Sequence, residues 1–204
     1  MPDRVTSCFQ TGWRPFKTRA SVFVASMLLL FLSCVILEVA VVLLHRLGLT
    51  VWLVLHLAWL FLFAGMLVGL HVMALKCVDD KIPRIGDLFG SLQRGPPYLL
   101  ALGIYCLVVS GGLVLLIVPG IYLAIRYCLF AQVITDTSAS ALQALRKAAA
   151  LTRGNWAPLG ALFFIAFLLN IGGMALPGIG LILSFPVSAL AIAGFYRSLR
   201  PATV

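Results

Sequence analysis

The chain has 204 residues, 62% of them hydrophobic and only 10% charged, with a formal net charge of +9. Soluble domains run nearer half apolar and a quarter charged, so this composition excludes an ordinary water-soluble globule and points to a membrane protein. The positive charge does not imply nucleic-acid binding: no folded nucleic-acid module is legible, and Lys and Arg gather on cytoplasmic loops for topological reasons.

Residues 1–20 read as a basic cytoplasmic tail, with Trp13 and Phe16 suited to the interface. Arg14, Lys17 and Arg19 followed by apolar residues imitate a signal peptide. The apolar stretch runs to about 24 residues, too long for a signal core of roughly 7–15, and predicts an uncleaved first span over Ser21–Leu44. Glu38 is its only charge. A turn around Gly48 leads to a second span, Thr50–Leu75, with Trp52 in an aromatic-belt position. In the polar segment Lys76–Pro97, Ile82, Ile85, Leu88, Phe89 and Leu92 recur at helical spacing, which predicts a short amphipathic interfacial helix weakened by Gly86 and Gly90.

A third span, Tyr98–Val118, is closed by a Pro119-Gly120 turn. The fourth, Ile121–Ile134, contains Arg126 and reaches only about 21 Å. Asp136-Thr137-Ser138 is read as the N-cap cluster of a second amphipathic helix, with Leu142, Leu145, Ala149 and Thr152 on one face and Arg146 and Lys147 off it. Arg153-Gly154-Asn155 ends that helix, and Trp156–Ala175 forms the fifth span. A turn at Pro177-Gly178 and a sixth span kinked at Pro186 complete a transmembrane domain over 21–199, followed by a tail at 200–204. The expected fold is all-α: a polytopic bundle of about six spans in three helical hairpins, with two short amphipathic helices.

Charge sets the expected orientation. With six spans, all of the fifteen Lys and Arg except Arg46 and Arg126 fall on one side, which the positive-inside tendency makes cytoplasmic together with both chain ends. Were the fourth span to turn back, Arg146, Lys147 and Arg153 would lie opposite the other basic segments. Parity therefore favours a crossing, with bilayer thinning absorbing the mismatch.

The second half of the chain looks duplicated in parallel, over 82–134 and 138–195. Arg94-Gly95, Gly111-Gly112 and Pro119-Gly120-Ile121 recur in order as Arg153-Gly154, Gly172-Gly173 and Pro177-Gly178-Ile179. LLIVPGIYLAIR at Leu115–Arg126 and ALRKAAALTRGNW at 144–156 resemble a group of bacterial inner-membrane proteins of unknown function, which includes the membrane domain fused to some glycerophosphodiester phosphodiesterases. The resemblance covers roughly residues 65–199 and implies a six-helix domain in the inner membrane without an established activity. The chain has no room for a phosphodiesterase domain.

Glu38 and Arg126 are the acid and base placed well inside spans, each about 9 Å below the outer boundary by helical rise. Matched depth and opposite charge make them the candidate intramembrane ion pair. Arg84, Arg94, Arg146, Lys147 and Arg153 are the candidate contacts to anionic lipid headgroups. Gly65 and Gly69, and Ala189 and Ala193, form small-residue faces for helix packing. His56 and His71 are about 22 Å apart along one helix, too far to share a metal. The five cysteines form neither a disulfide framework nor a zinc motif, and no nucleophile–base set is legible. The reading is of a non-enzymatic multi-pass inner-membrane protein, without cofactor, that binds or organises lipid or a membrane partner, or self-associates. The alternative is a small transporter or channel subunit with a site near Arg126.

Overall fold

The computed structural model describes residues 2–44, 48–175 and 179–200, with 2–18 and 179 as backbone only. Every described element is helical: α1 Pro2–Leu44, α2 Leu49–Val78, α3 Gly86–Gly90, a 3-10 turn Leu92–Arg94, α4 Gly95–Leu115, α5 Ile117–Tyr127, α6 Phe130–Thr137, α7 Ala141–Leu151, α8 Trp156–Met174 and α9 Ile179–Leu199. Six stretches are long and apolar enough to cross a membrane: Arg19–Leu44, Leu49–Val78, Leu92–Leu115, Ile117–Thr137, Trp156–Met174 and Gly180–Leu199. In α1, α2, α4 and α8 apolar residues surround the helix, and large side chains such as Phe31, Leu57, Leu107 and Phe164 are exposed. In water that would be an aggregation hazard; against acyl chains it is the expected surface.

Several expectations change. The helix does not begin at the first span: it runs from Pro2, and Arg19, with φ −131° and ψ 18°, marks a break between a basic first section and the apolar one. The fourth span is not short. It covers 21 residues, Ile117–Thr137, as α5 and α6 separated by a turn at Cys128 and Leu129. Pro119 and Gly120 do not form the preceding turn but lie in the first turns of α5, while the reversal falls on the extended Leu116. Proline is tolerated there because a first-turn N–H has no intrahelical acceptor to lose. Pro177 and Gly178, His45 and Arg46 lie outside the described residues, as do the side chains of Trp13 and Phe16.

The α4–α5 and α8–α9 hairpins close in the same way. A Cβ built on Gly112 would lie 3.0 Å from Gly120 Cα, and one built on Gly180 would collide with the Gly173 carbonyl. Absent side chains at these four positions let the paired backbones approach.

The predicted interfacial helix at 82–92 is instead a broken segment, α3 and the 3-10 turn, folded against α2. Leu88 is fully buried, whereas Ile82, Ile85 and Phe89 are exposed. Gly65 and Gly69 receive this segment: a Cβ on Gly69 would sit 2.5 Å from Leu88 Cα, and one on Gly65 2.8 Å from Leu92 Cα. The small-residue face of α2 thus packs within the chain, on a connecting segment. Ala189 and Ala193 are buried in α9, which packs against α1, α2 and α8.

The cap of α7 is Ser140, whose backbone N–H donates to Gln143 Oε1 at 3.3 Å in a capping box. The Asp136-Thr137-Ser138 cluster belongs to the end of α6, where Ser138 adopts a left-handed conformation at φ 50°. As predicted, Leu145, Ala149 and Thr152 face inward from α7, while Leu142 is exposed. That face packs on α4, α5 and α6, and the opposite one leaves Arg146 and Lys147 exposed.

Candidate functional site

Three polar arrangements stand out against the apolar background. The first joins the ends of α2, α6 and α9. Arg197 forms ion pairs with Asp79 at 2.6 Å and Asp136 at 3.0 Å. Arg200 reaches Asp136 at 2.5 Å, and the Tyr196 hydroxyl donates to the same carboxylate at 2.9 Å. Lys76 similarly holds Asp87 at 2.6 Å, tying α3 to α2. Arg19 donates to the Lys81 carbonyl, which fastens α1 to the segment after α2. Sequence reasoning missed this network because its partners are 61 and 118 residues apart. A usable signal was present: the acids are few, and Asp79 and Asp136 both sit at span ends.

The second lies between α8 and α9. Asn170 donates to the Ser188 hydroxyl at 3.0 Å and accepts from the Ser184 hydroxyl at 3.0 Å. His71, Asn170 and Ser188 line a recess of about 270 Å³ with Phe163, Phe167 and Phe185. His71 Nδ1 pairs with the Leu67 carbonyl at 2.8 Å, and His56 Nδ1 with that of Trp52 at 2.9 Å, so each histidine is tied to its own helix. The Asn170 bonds lock two helices together, and Asn170→Leu is expected to cost about 1 kcal/mol of stability. Thermal unfolding in detergent checks this; an unchanged midpoint would show that the bonds contribute nothing.

The third surrounds Arg126. Helices α4, α5 and α7 enclose a groove of about 450 Å³, with Arg126, Arg146 and Arg153 on its lining beside Ile104, Val108 and Leu142. A smaller recess of about 130 Å³ adjoins it and shares Arg126, Ala149 and Arg153. Among the described residues no Asp or Glu lines either space. The break between α5 and α6 turns the chain here, and α7 folds back until the Thr152 hydroxyl donates to the Arg126 carbonyl at 3.0 Å. Gly160 admits Ile125 close to the α8 backbone, its built Cβ lying 3.0 Å from Ile125 Cδ1. Arg126 donates to the Tyr122 hydroxyl at 3.2 Å, and its guanidinium carbon lies 5.8 Å from that ring's centre. Its Nε is buried with no hydrogen-bond partner among the described residues.

Arg126 does not pair with Glu38. The four ion pairs among the described residues exclude both, and Glu38 is exposed on α1. Helix α1 packs chiefly on α2 and α9, whereas α5 packs on α4, α7 and α8. Equal depth fixes height along a helix but not which helix stands beside it. Among the five predicted headgroup contacts, Arg84, Arg146, Lys147 and Arg153 are exposed. Arg94 is instead engaged within the bundle, donating to the Thr135 carbonyl at 2.7 Å, because the segment carrying it lies against α2.

The fold defines the class: this is a multi-pass α-helical membrane protein with six candidate spans. Comparison of the chain with models of protein families, with curated proteins and with solved structures returns no match.

Proposed function

We propose that this protein is a non-enzymatic component of the bacterial inner membrane that binds or organises anionic lipid, with both chain ends in the cytoplasm. The observation that carries this reading is the α4–α5–α7 groove, where three arginines share an apolar-walled space without an acidic partner among the described residues. Phosphate-bearing headgroups supply the missing charge, and cytoplasmic leaflets are rich in them. The repeated close approach of Gly112 to Gly120 and of Gly173 to Gly180 supports a parallel duplication of the two hairpins.

The test is a thermal titration of the detergent-solubilised protein. Phosphatidylglycerol is expected to raise the unfolding midpoint in a saturable way, and phosphatidylcholine to raise it less, since a ligand that binds only the folded state stabilises it by mass action. Equal responses would overturn the lipid reading. Because the groove reaches Arg126 inside a span, the transporter alternative keeps a specific observation in its favour. Solute flux in proteoliposomes that is lost in Arg126→Gln would select it.

Orientation has its own check. Cys77 is buried, so it cannot report sidedness in the folded protein. Thr50 and Lys147 are exposed. A membrane-impermeant maleimide added outside spheroplasts is expected to label Thr50→Cys above the parent's signal and to leave Lys147→Cys at that level; the reverse pattern would invert the topology.

A further inference from the structure

We infer that the α4–α5–α7 groove seats a single anionic phospholipid, its phosphodiester held by Arg126 and Arg153 and the start of an acyl chain lying on Ile104, Val108 and Leu142. This rests on the lipid-binding reading above and narrows it from a basic face to one seat.

Position comes first. Arg126 lies nine residues from Ile117 and eleven from Thr137, the limits of its span. By helical rise within α5 that is roughly 14 Å from the Ile117 end, and α5 stops one residue later at Tyr127. A cation there is costly in hydrocarbon, and such residues face a cavity or a partner. Arg126 does face a cavity, and its single side-chain hydrogen bond among the described residues is to a neutral phenol. Two further guanidiniums on the same walls add repulsion that a bound anion would relieve. Planar guanidinium groups suit phosphate because two parallel N–H bonds can reach two of its oxygens.

Shape then distinguishes a lipid from a free anion. A volume of about 450 Å³ falls in the range of small-molecule sites, far more than one inorganic phosphate fills. Ile104, Val108 and Leu142 give the lining aliphatic surface, and Leu100 and Leu107 on α4 are exposed as well. A soluble anion gains nothing from that surface, whereas a phospholipid brings an acyl chain that covers it and stays with its headgroup.

Native mass spectrometry of the full chain in detergent tests the seat. The expected result is one retained phosphatidylglycerol per chain, with phosphatidylcholine at least about tenfold weaker. Arg126→Gln and Arg153→Gln should each weaken phosphatidylglycerol by about tenfold or more, the effect of removing one charge-assisted contact. Arg84→Gln and Lys147→Gln, outside the groove, should leave it unchanged. Arg153 is exposed, so its variant carries the test even if Arg126→Gln folds poorly. Wild-type binding in both groove variants would overturn the seat. Equal weakening in all four would also overturn it while leaving a diffuse basic face in place. Displacement of the lipid by millimolar inorganic phosphate would reassign the groove to a soluble anion. Indistinguishable binding of the two lipids would remove the broader lipid reading as well.

Discussion

Asp136→Ala is expected to unfold at a clearly lower temperature than the parent in detergent, at a cost of about 3 kcal/mol. The Asp136 carboxylate is 11% exposed and accepts from Tyr196, Arg197 and Arg200. Its removal leaves two guanidiniums and a hydroxyl around an empty space, and breaking a shielded ion pair from one side costs more than forming it gained. Asp79 is 27% exposed and among the described residues meets Arg197 alone, and Arg197 would keep Asp136 as a partner. Asp79→Ala should therefore lose less. The pair of variants turns a network seen in three helix ends into a ranked result. Equal losses would mean that the shared guanidinium, not Asp136, holds the ends together; a double-mutant cycle between Asp136 and Arg197 would then locate the coupling.

Gly180→Ala and Gly120→Ala are expected to cost about 2–3 kcal/mol each, an overpacking penalty at sites with no room to adjust. At Gly180 the added carbon meets the backbone of Gly173, and at Gly120 it lies 2.7 Å from the backbone nitrogen of Leu113. Backbone cannot rotate aside as a side chain can. Gly111 and Gly172 supply the comparison: each precedes a contacting glycine in sequence, yet a Cβ there meets nothing within 4 Å. Alanine at those two positions should be neutral or mildly stabilising, by up to about 1 kcal/mol, because it favours the helix. Unfolding midpoints for the four variants decide the matter. Sensitivity at Gly111 and Gly172 equal to that at Gly120 and Gly180 would mean that hairpin closure does not depend on backbone approach.

The Gly-Gly pairs also show where sequence reading stopped. Both pairs were visible as landmarks, but which member touches its partner depends on helix rotation. The same limit explains Glu38 and Arg126. Their residue numbers correctly put both within spans, but pairing also needs adjacent helices turned toward each other, and α1 and α5 pack on largely different neighbours. Arg94 was read with the other bases as a surface charge, and only the folding of its segment onto α2 brings it to the Thr135 carbonyl.

Composition and the apolar runs by themselves determined the membrane class, the all-helical fold and six candidate spans, with the limits of the first, second and fifth correct to within about three residues. They could do so because partition into hydrocarbon and backbone satisfaction within a helix are local properties, additive along the chain. The full length of the fourth span, the Asp136 network and the arginine groove were decided by tertiary structure. Each depends on helix rotation and on contacts between residues far apart in sequence, and a hydropathy pattern with apolar side chains all round the helix does not encode which face meets which neighbour.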